Sequence, residues 1–283
     1  NQDRVVAAYK DNGNSGYGYA ITGTVNASNN SLSFATSVKY YGTGINAAWF
    51  NKITFVSGED KIVIAFREAT SNSNDCMAVL GEVQANGSIT FQSTVQVHNG
   101  NADNIGITND GSRVLIAYGV SAASGRARAA SISGTTLTMG STEVTFSTNN
   151  TVGCALTYDT TKGRALLVHK EMNNSYSYVS GGLISGTGSS TTVTFSTLTE
   201  LVSVTADQFS ISYNPNVRRF FVGYRDNNNN LQVREGKLYI FNNNMVIRLD
   251  YYQPTPNDNN VQIQAVGDDY TSNFGAGKIC TLY

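Results

Sequence analysis

KIVIAFRE, Lys61 to Glu68, is a basic residue, four apolar or small residues, an aromatic ring, then a basic and an acidic residue. The chain repeats this phrase. RVVAAYKD begins at Arg4, RVLIAYGV at Arg113, RALLVHKE at Arg164 and RFFVGYRD at Arg219, and KICTLY covers Lys278 to Tyr283. The starts at 4, 61, 113, 164, 219 and 278 lie 57, 52, 51, 55 and 59 residues apart. Self-similarity at a near-fixed period of this size is the mark of a repeat architecture. The copy at Arg113 departs from the pattern, ending Tyr118-Gly119-Val120.

Around each copy the same four apolar segments recur. In the first repeat, strand a is Val5 to Tyr9, strand b Tyr17 to Val25, strand c Leu32 to Tyr40 and strand d Ala47 to Phe55. Between them lie NGNSG (Asn12 to Gly16), NASNN (Asn26 to Asn30) and GTG (Gly42 to Gly44), compositions that tolerate the left-handed backbone of tight turns. Asn86-Gly87 is the tight-turn signal between b and c of the second repeat. Short strands rich in Val, Ile, Thr and Tyr, bounded by such clusters, predict an all-β fold. No stretch places apolar residues at helical spacing over a helix length.

Four-stranded units of this length, repeated five times, predict a β-propeller of four-stranded blades, with five blades and six as the fallback. One twisted sheet cannot bury both faces, but neighbours around an axis bury them for each other. Strand d followed by strand a is the expected inner pair, since a is the most apolar and d the smallest. The chain reads as one repeat domain over 1–283, with repeats at 4–60, 61–112, 113–163, 164–218 and 219–277 and a partial strand at 278–283. A linear β-solenoid is the rival architecture. Because the chain begins with Asn1 rather than Met, a processed chain or a piece of a longer one is expected.

Charged residues make up 14% of the chain and the net charge is −1. Such a surface releases few counterions from phosphate, which argues against nucleic acid as a partner. No apolar run approaches the roughly 18 residues of a membrane span, so no membrane insertion is expected. Cys76, Cys154 and Cys280 sit far apart in strand-like runs, which predicts buried thiols rather than a disulfide framework or a metal site. No metal and no cofactor are expected.

The aromatic–basic–acidic trio closing strand a carries the candidate ligand-binding residues: Tyr9 and Asp11, Phe66 and Glu68, Glu171 after His169, Tyr224 and Asp226. Strand alternation sends aromatic and acid to one side and the base to the other. One reading has the rings packed between blades and the charges paired across them. The other is a ring of pockets, each with an aromatic face and a carboxylate. The a–b loops that follow are rich in Asn and Tyr and add Tyr17, Tyr19 and Tyr176. Neutral amides and hydroxyls beside tyrosine rings suit a carbohydrate.

No nucleophile elbow, HExxH helix or Cys–His pair is present, so no catalytic residue is assigned. His169 fills the aromatic slot of its repeat and is expected to pack there; His98 has no partner nearby in sequence. Gly277-Lys278 lacks the glycine and hydroxyl spacing of a phosphate loop, and Thr108-Asn109-Asp110-Gly111 reads as a hairpin turn. A propeller glycosidase would need inward carboxylates from different blades, whereas Asp11, Glu68, Glu171 and Asp226 belong to a repeated signature. Trp49, the single tryptophan, breaks the repeat symmetry, as a core filler or as a stacking platform.

The text from Val5 to Val38, VVAAYKDNGNSGYGYAITGTV followed by SLSFATSV, resembles repeats in virion structural and tail-fibre proteins of marine bacteriophages. Phe66-Arg67 with Ser71-Asn72-Ser73, and Tyr224-Arg225-Asp226-Asn227, match in part. The resemblance implies a virion-surface or extracellular location and adhesive or structural use, with other virion or fibre subunits as partners. It carries over no catalytic residue. The expectation is a non-enzymatic propeller that binds host or cell-surface glycans. A purely structural repeat and a glycan-cleaving enzyme are the alternatives.

Overall fold

The computed structural model describes residues 4–26, 28–29, 31–42, 47–69, 74–121, 123–228, 230–241, 244–251, 263–264 and 281–282. The first sheet holds β1 (Arg4–Asp11), β2 (Tyr17–Asn26), β3 (Ser31–Phe34) and β4 (Val38–Tyr41). The second holds β5 (Ala47–Val56), β6 (Lys61–Ala69), β7 (Cys76–Val83), β8 (Ile89–Phe91) and β9 (Val95–His98). The third is β10 (Ala102–Asn109), β11 (Arg113–Val120), β12 (Ser124–Ser133) and β13 (Thr136–Ser147). The fourth is β14 (Thr151–Asp159), β15 (Arg164–Glu171), β16 (Ser177–Ser185), β17 (Thr192–Phe195) and β18 (Thr199–Val202). The fifth is β19 (Ala206–Asn214), β20 (Arg219–Asp226), β21 (Leu231–Phe241) and β22 (Asn244–Tyr251), and β23 (Ile263–Gln264) pairs with β24 (Thr281–Leu282). All pairings are antiparallel.

The chain is an all-β propeller, and its sheets are offset from its sequence repeats. Strand d of one repeat pairs with strand a of the next: β5 with β6, β10 with β11, β14 with β15, β19 with β20. Each of these sheets therefore runs d–a–b–c, with d at the edge, and successive d strands pack side by side. The expected d–a inner pair is present, but it crosses the repeat boundaries at 60, 112, 163 and 218. In three sheets strand c is broken in two, so β3 with β4, β8 with β9 and β17 with β18 share one b strand each.

KIVIAFRE explains the stacking. Ile62, Ile64 and Phe66 alternate onto the first sheet, where Ala20 and Tyr40 meet them, with Ala48 of β5 in the same cluster. Val63 and Ala65 face the third sheet and pack with Ile105, Val114, Ile116 and Tyr118. A strand buried on both faces needs a continuous apolar run, and all five of these residues are at most 1% exposed. The same device joins the third sheet to the fourth through Leu115, Ala129 and Leu167, and the fourth to the fifth through Leu166, Val168 and Phe220. Burying one such large side chain contributes roughly 1.5–3 kcal/mol.

The trio at the end of strand a follows this alternation. Phe66, Tyr118 and Tyr224 each face the preceding sheet. Arg67 turns to the following sheet and pairs with Asp103 of β10. Arg225 instead pairs within its own sheet, with Asp207 at 2.6 Å. The irregular copy is explained by contact: a side chain at Gly119, the slot of the base, would overlap the Thr151 carbonyl of the fourth sheet.

Every complete d strand carries a β-bulge at the same place, between Trp49 and Lys52, Asp103 and Gly106, Val152 and Ala155, and Asp207 and Ser210. Its second residue has positive φ each time, 54° at Phe50, 55° at Asn104, 67° at Gly153 and 54° at Gln208. Non-glycine residues adopt this backbone uncommonly, so the bulge is a feature that the surrounding packing maintains. It aims Trp49 at the first sheet, where the Lys10 ammonium sits 3.3 Å from its ring centroid. Trp49 is thus a half-buried filler between two sheets. Thr108 to Gly111 does form a turn: Gly111 has φ +102°, and the Asp110 carboxylate accepts from Arg113 Nε at 2.6 Å. Cys76 and Cys154 are buried free thiols; Cys280 and Gly277-Lys278 lie outside the described residues.

Candidate binding cleft at Glu171

One cleft, of about 440 Å³, opens where the c–d link of the third sheet meets the a–b hairpin of the fourth. Its floor is Glu171, the last residue of β15, and its walls include Phe146, Ser147, Asn149, Asn174 and Tyr178. Glu171 takes this position because alternation turns it, like the aromatic two residues earlier, toward the preceding sheet. The hairpin is closed by Glu171 N donating to Tyr176 O at 2.8 Å and by Tyr176 N donating to Asn174 Oδ1 at 2.8 Å. Ser175 takes a φ of 63° in the turn.

The carboxylate is 4% exposed and held by neutral donors only. Ser147 Oγ donates to Oε1 at 2.6 Å, Asn149 Nδ2 to Oε2 at 2.7 Å and Asn174 Nδ2 to Oε2 at 3.2 Å. Asn174 Nδ2 also reaches the Tyr178 hydroxyl at 2.9 Å, and Asn173 Nδ2 reaches Asn149 Oδ1 at 3.2 Å. Behind the floor, His169 is fully buried between Phe146 and Tyr178, with ring centroids 4.9 and 5.9 Å away. Its Nε2 lies 4.0 Å from Glu171 Oε1, and neither ring nitrogen has a hydrogen-bond partner. Burial lowers its pKa to about 4, with the Glu171 charge opposing. Desolvation keeps the Tyr178 hydroxyl above the usual tyrosine value, so it stays protonated.

The other predicted residues divide sharply. Phe66 and Tyr224 are core rings, 0% and 5% exposed, against Tyr41 and Phe209 respectively. They have no face to offer a ligand, which corrects their assignment to a binding ring. Asp11 accepts from Gly13 N at 3.0 Å and Asp226 from Asn228 N and Asn230 N at 2.9 Å, so each holds its own hairpin. The Asn230 amide is the main reason that the Asp226 carboxyl lies below its ordinary pKa. Glu68 closes the equivalent hairpin, its N donating to Asp75 O at 2.8 Å. Tyr9 and Tyr19 stack, with centroids 6.1 Å apart, on a face of the first sheet that is partly open, and Tyr17 lies under Lys39. Tyr176 sits half-buried beside the cleft.

Sequence reasoning missed two things. Ser147 and Asn149 stand in the c–d link, whose STNN composition (Ser147 to Asn150) resembles the a–b loops and was the available signal. The second is a cluster between the second and third sheets. His98 Nδ1 lies 2.6 Å from Glu143 Oε1, Tyr118 OH donates to the same oxygen at 2.5 Å, and Arg126 Nη1 donates to Oε2 at 2.5 Å. Partial burial alone would raise Glu143, but the three donors together outweigh it and lower its pKa. The cluster clamps β9 to the third sheet. A second cavity, of about 450 Å³, lies at the opposite end between the first two sheets and is lined mainly by apolar groups such as Val6, Ile53 and Ile62.

No protein-family model matches the chain, and no curated protein does. Among solved structures, one similar chain is a Bacteroides fragilis protein assigned as a 6-phosphogluconolactonase, with a TM-score of 0.53 at 13% identity over 90% of this chain and 69% of that one. The Dos1 propeller aligns at TM-score 0.47 and 13% identity, over 83% of this chain and 53% of that one. A NanB sialidase variant from Streptococcus pneumoniae aligns at TM-score 0.49 and 12% identity, over 76% of this chain and 34% of that one. This chain therefore spans about half the Dos1 propeller and a third of the sialidase. Identities this low speak to the fold alone.

Proposed function

We propose that the protein is a non-catalytic carbohydrate-binding propeller that takes a saccharide in the cleft at Glu171. The observation that carries this reading is the lining itself: one buried carboxylate, five amide or hydroxyl side chains and two aromatic rings around about 440 Å³. That volume suits a small ligand, and amides with an aromatic wall serve the hydroxyls and apolar faces of a sugar. Binding rather than cleavage is favoured because Glu171 is the one carboxylate among the residues lining this cleft, whereas glycoside hydrolysis commonly uses two facing carboxyl groups. The resemblance to virion fibre repeats supports placing the module on a virion or outside the cell, where surface glycans are the available partners.

A glycan array read with the protein held multivalent on beads tests this, alongside Glu171→Gln and Tyr178→Ala. A restricted class of saccharide hits, weakened by both substitutions in folded protein, supports binding. A blank array with folded protein favours an architectural module, and release of reducing ends that Glu171→Gln abolishes would establish an enzyme.

A further inference from the structure

We propose that the cleft at Glu171 selects a sugar bearing a free primary ammonium group, an amino sugar without its acetyl cap; this rests on the carbohydrate reading. The reason is a charge without a counter-charge. Glu171 is 4% exposed, and its donors Ser147, Asn149 and Asn174 are all neutral. Among the described residues the one base within ion-pair distance is His169, at 4.0 Å, and burial keeps that imidazole uncharged near neutral pH. Elsewhere Asp103 has Arg67, Asp110 has Arg113 and Glu143 has Arg126, while the buried Asp75 and Asp159 accept from amide donors and line neither cavity, so that among the described residues Glu171 is the buried acid that opens onto a cleft. A buried carboxylate normally has a cationic partner, because desolvating a lone charge is costly.

The geometry leaves room for the missing partner. A carboxylate has about four acceptor positions, and three are used, one on Oε1 and two on Oε2. An ammonium entering the cleft would take the remaining position on Oε1, beside the Phe146 and Tyr178 rings that line the cleft. His169, with both ring nitrogens unpartnered and fully buried, stands behind the same oxygen and cannot compete as a cation. The remaining amide and hydroxyl groups of Asn149, Asn174 and Tyr178 are left to contact ring hydroxyls of the sugar.

Calorimetric titrations of the purified chain with glucosamine, glucose, N-acetylglucosamine and butylammonium would test it. At about pH 6 the amine of glucosamine is protonated, and one charge-assisted hydrogen bond should make it bind about tenfold tighter than glucose or the acetylated sugar. Glu171→Gln should erase that preference while leaving the weak binding of glucose. Equal binding of glucosamine and glucose by the unaltered protein overturns the proposal and leaves the carbohydrate reading standing. So does a preference that survives Glu171→Gln. Butylammonium binding as tightly as glucosamine removes the sugar from the claim, and no binding of any saccharide overturns the carbohydrate reading and this one together. Should Glu171→Gln fail to fold, the comparison of free and acetylated amines on the unaltered protein decides alone.

Discussion

The Ser147 hydroxyl of the third sheet donates to the Glu171 carboxylate of the fourth at 2.6 Å. The floor of the cleft is thereby fixed from the neighbouring blade, and binding geometry and blade packing share one residue. Glu171→Ala strips the acceptor from Ser147, Asn149 and Asn174 together. It should lower stability to urea by about 2–3 kcal/mol, and Glu171→Gln, which keeps an acceptor, by about 1 kcal/mol. Equal losses in the two variants would show that the hydrogen bonds across the sheets contribute little.

Acid should weaken the fold through His169. Its folded pKa is lowered from 6.5 to about 4 by burial, so the unfolded chain binds the proton more readily than the folded one. Stability is therefore fully present above about pH 6.5, is lost as pH falls toward 4, and levels off below that, for a total on the order of 3 kcal/mol. Phe66, Tyr118 and Tyr224 fill the same slot elsewhere, so His169→Phe should fold and flatten this part of the profile. Urea melts of both proteins across that range check it; parallel profiles would remove His169 as the cause.

The clamp at Glu143 gives a third prediction. Tyr118 is fully buried and its hydroxyl donates to Glu143 at 2.5 Å. Tyr118→Phe removes one hydrogen bond while Arg126 and His98 still hold the carboxylate, and should cost about 1–2 kcal/mol. Chemical denaturation measures this directly. A variant as stable as the parent would mean that the contact is energetically silent.

Restoring the repeat at Gly119 should do harm. The other copies place Lys10, Arg67, Lys170 and Arg225 in this slot, so Gly119→Arg makes the sequence more regular. Yet a Cβ there overlaps the Thr151 carbonyl. The overpacking should cost about 2 kcal/mol or more. A thermal midpoint unchanged from the parent would show that the fourth sheet can move aside.

Much of the architecture was legible in the letters. KIVIAFRE is apolar without alternation because both its faces are buried, and its period announces stacked units. Asn-Gly and Asp-Gly pairs mark their turns because few residues accept positive φ, as at Gly87 and Gly111. The trio's alternation placed aromatic and acid on one side and base on the other, and Phe66, Arg67 and Glu171 obey it. These properties are local: they depend on the pleat of one strand and the backbone of one turn.

What a residue meets across a sheet boundary was decided by tertiary structure alone. The letters of Asp11, Glu171 and Asp226 occupy equivalent slots, yet Asp11 and Asp226 fold back on their own hairpins while Glu171 reaches Asn149, 22 residues away. His98 finds Glu143 over 45 residues, and Phe66 proves to be core because Tyr40 and Tyr41 cover it. The apolar content of strands a and d announced that they pair, but not that the sheets straddle the repeat boundaries, each d joining the a of the next repeat. Such pairings depend on the spacing and twist of stacked sheets, and partners brought together that way share no local pattern from which either could name the other.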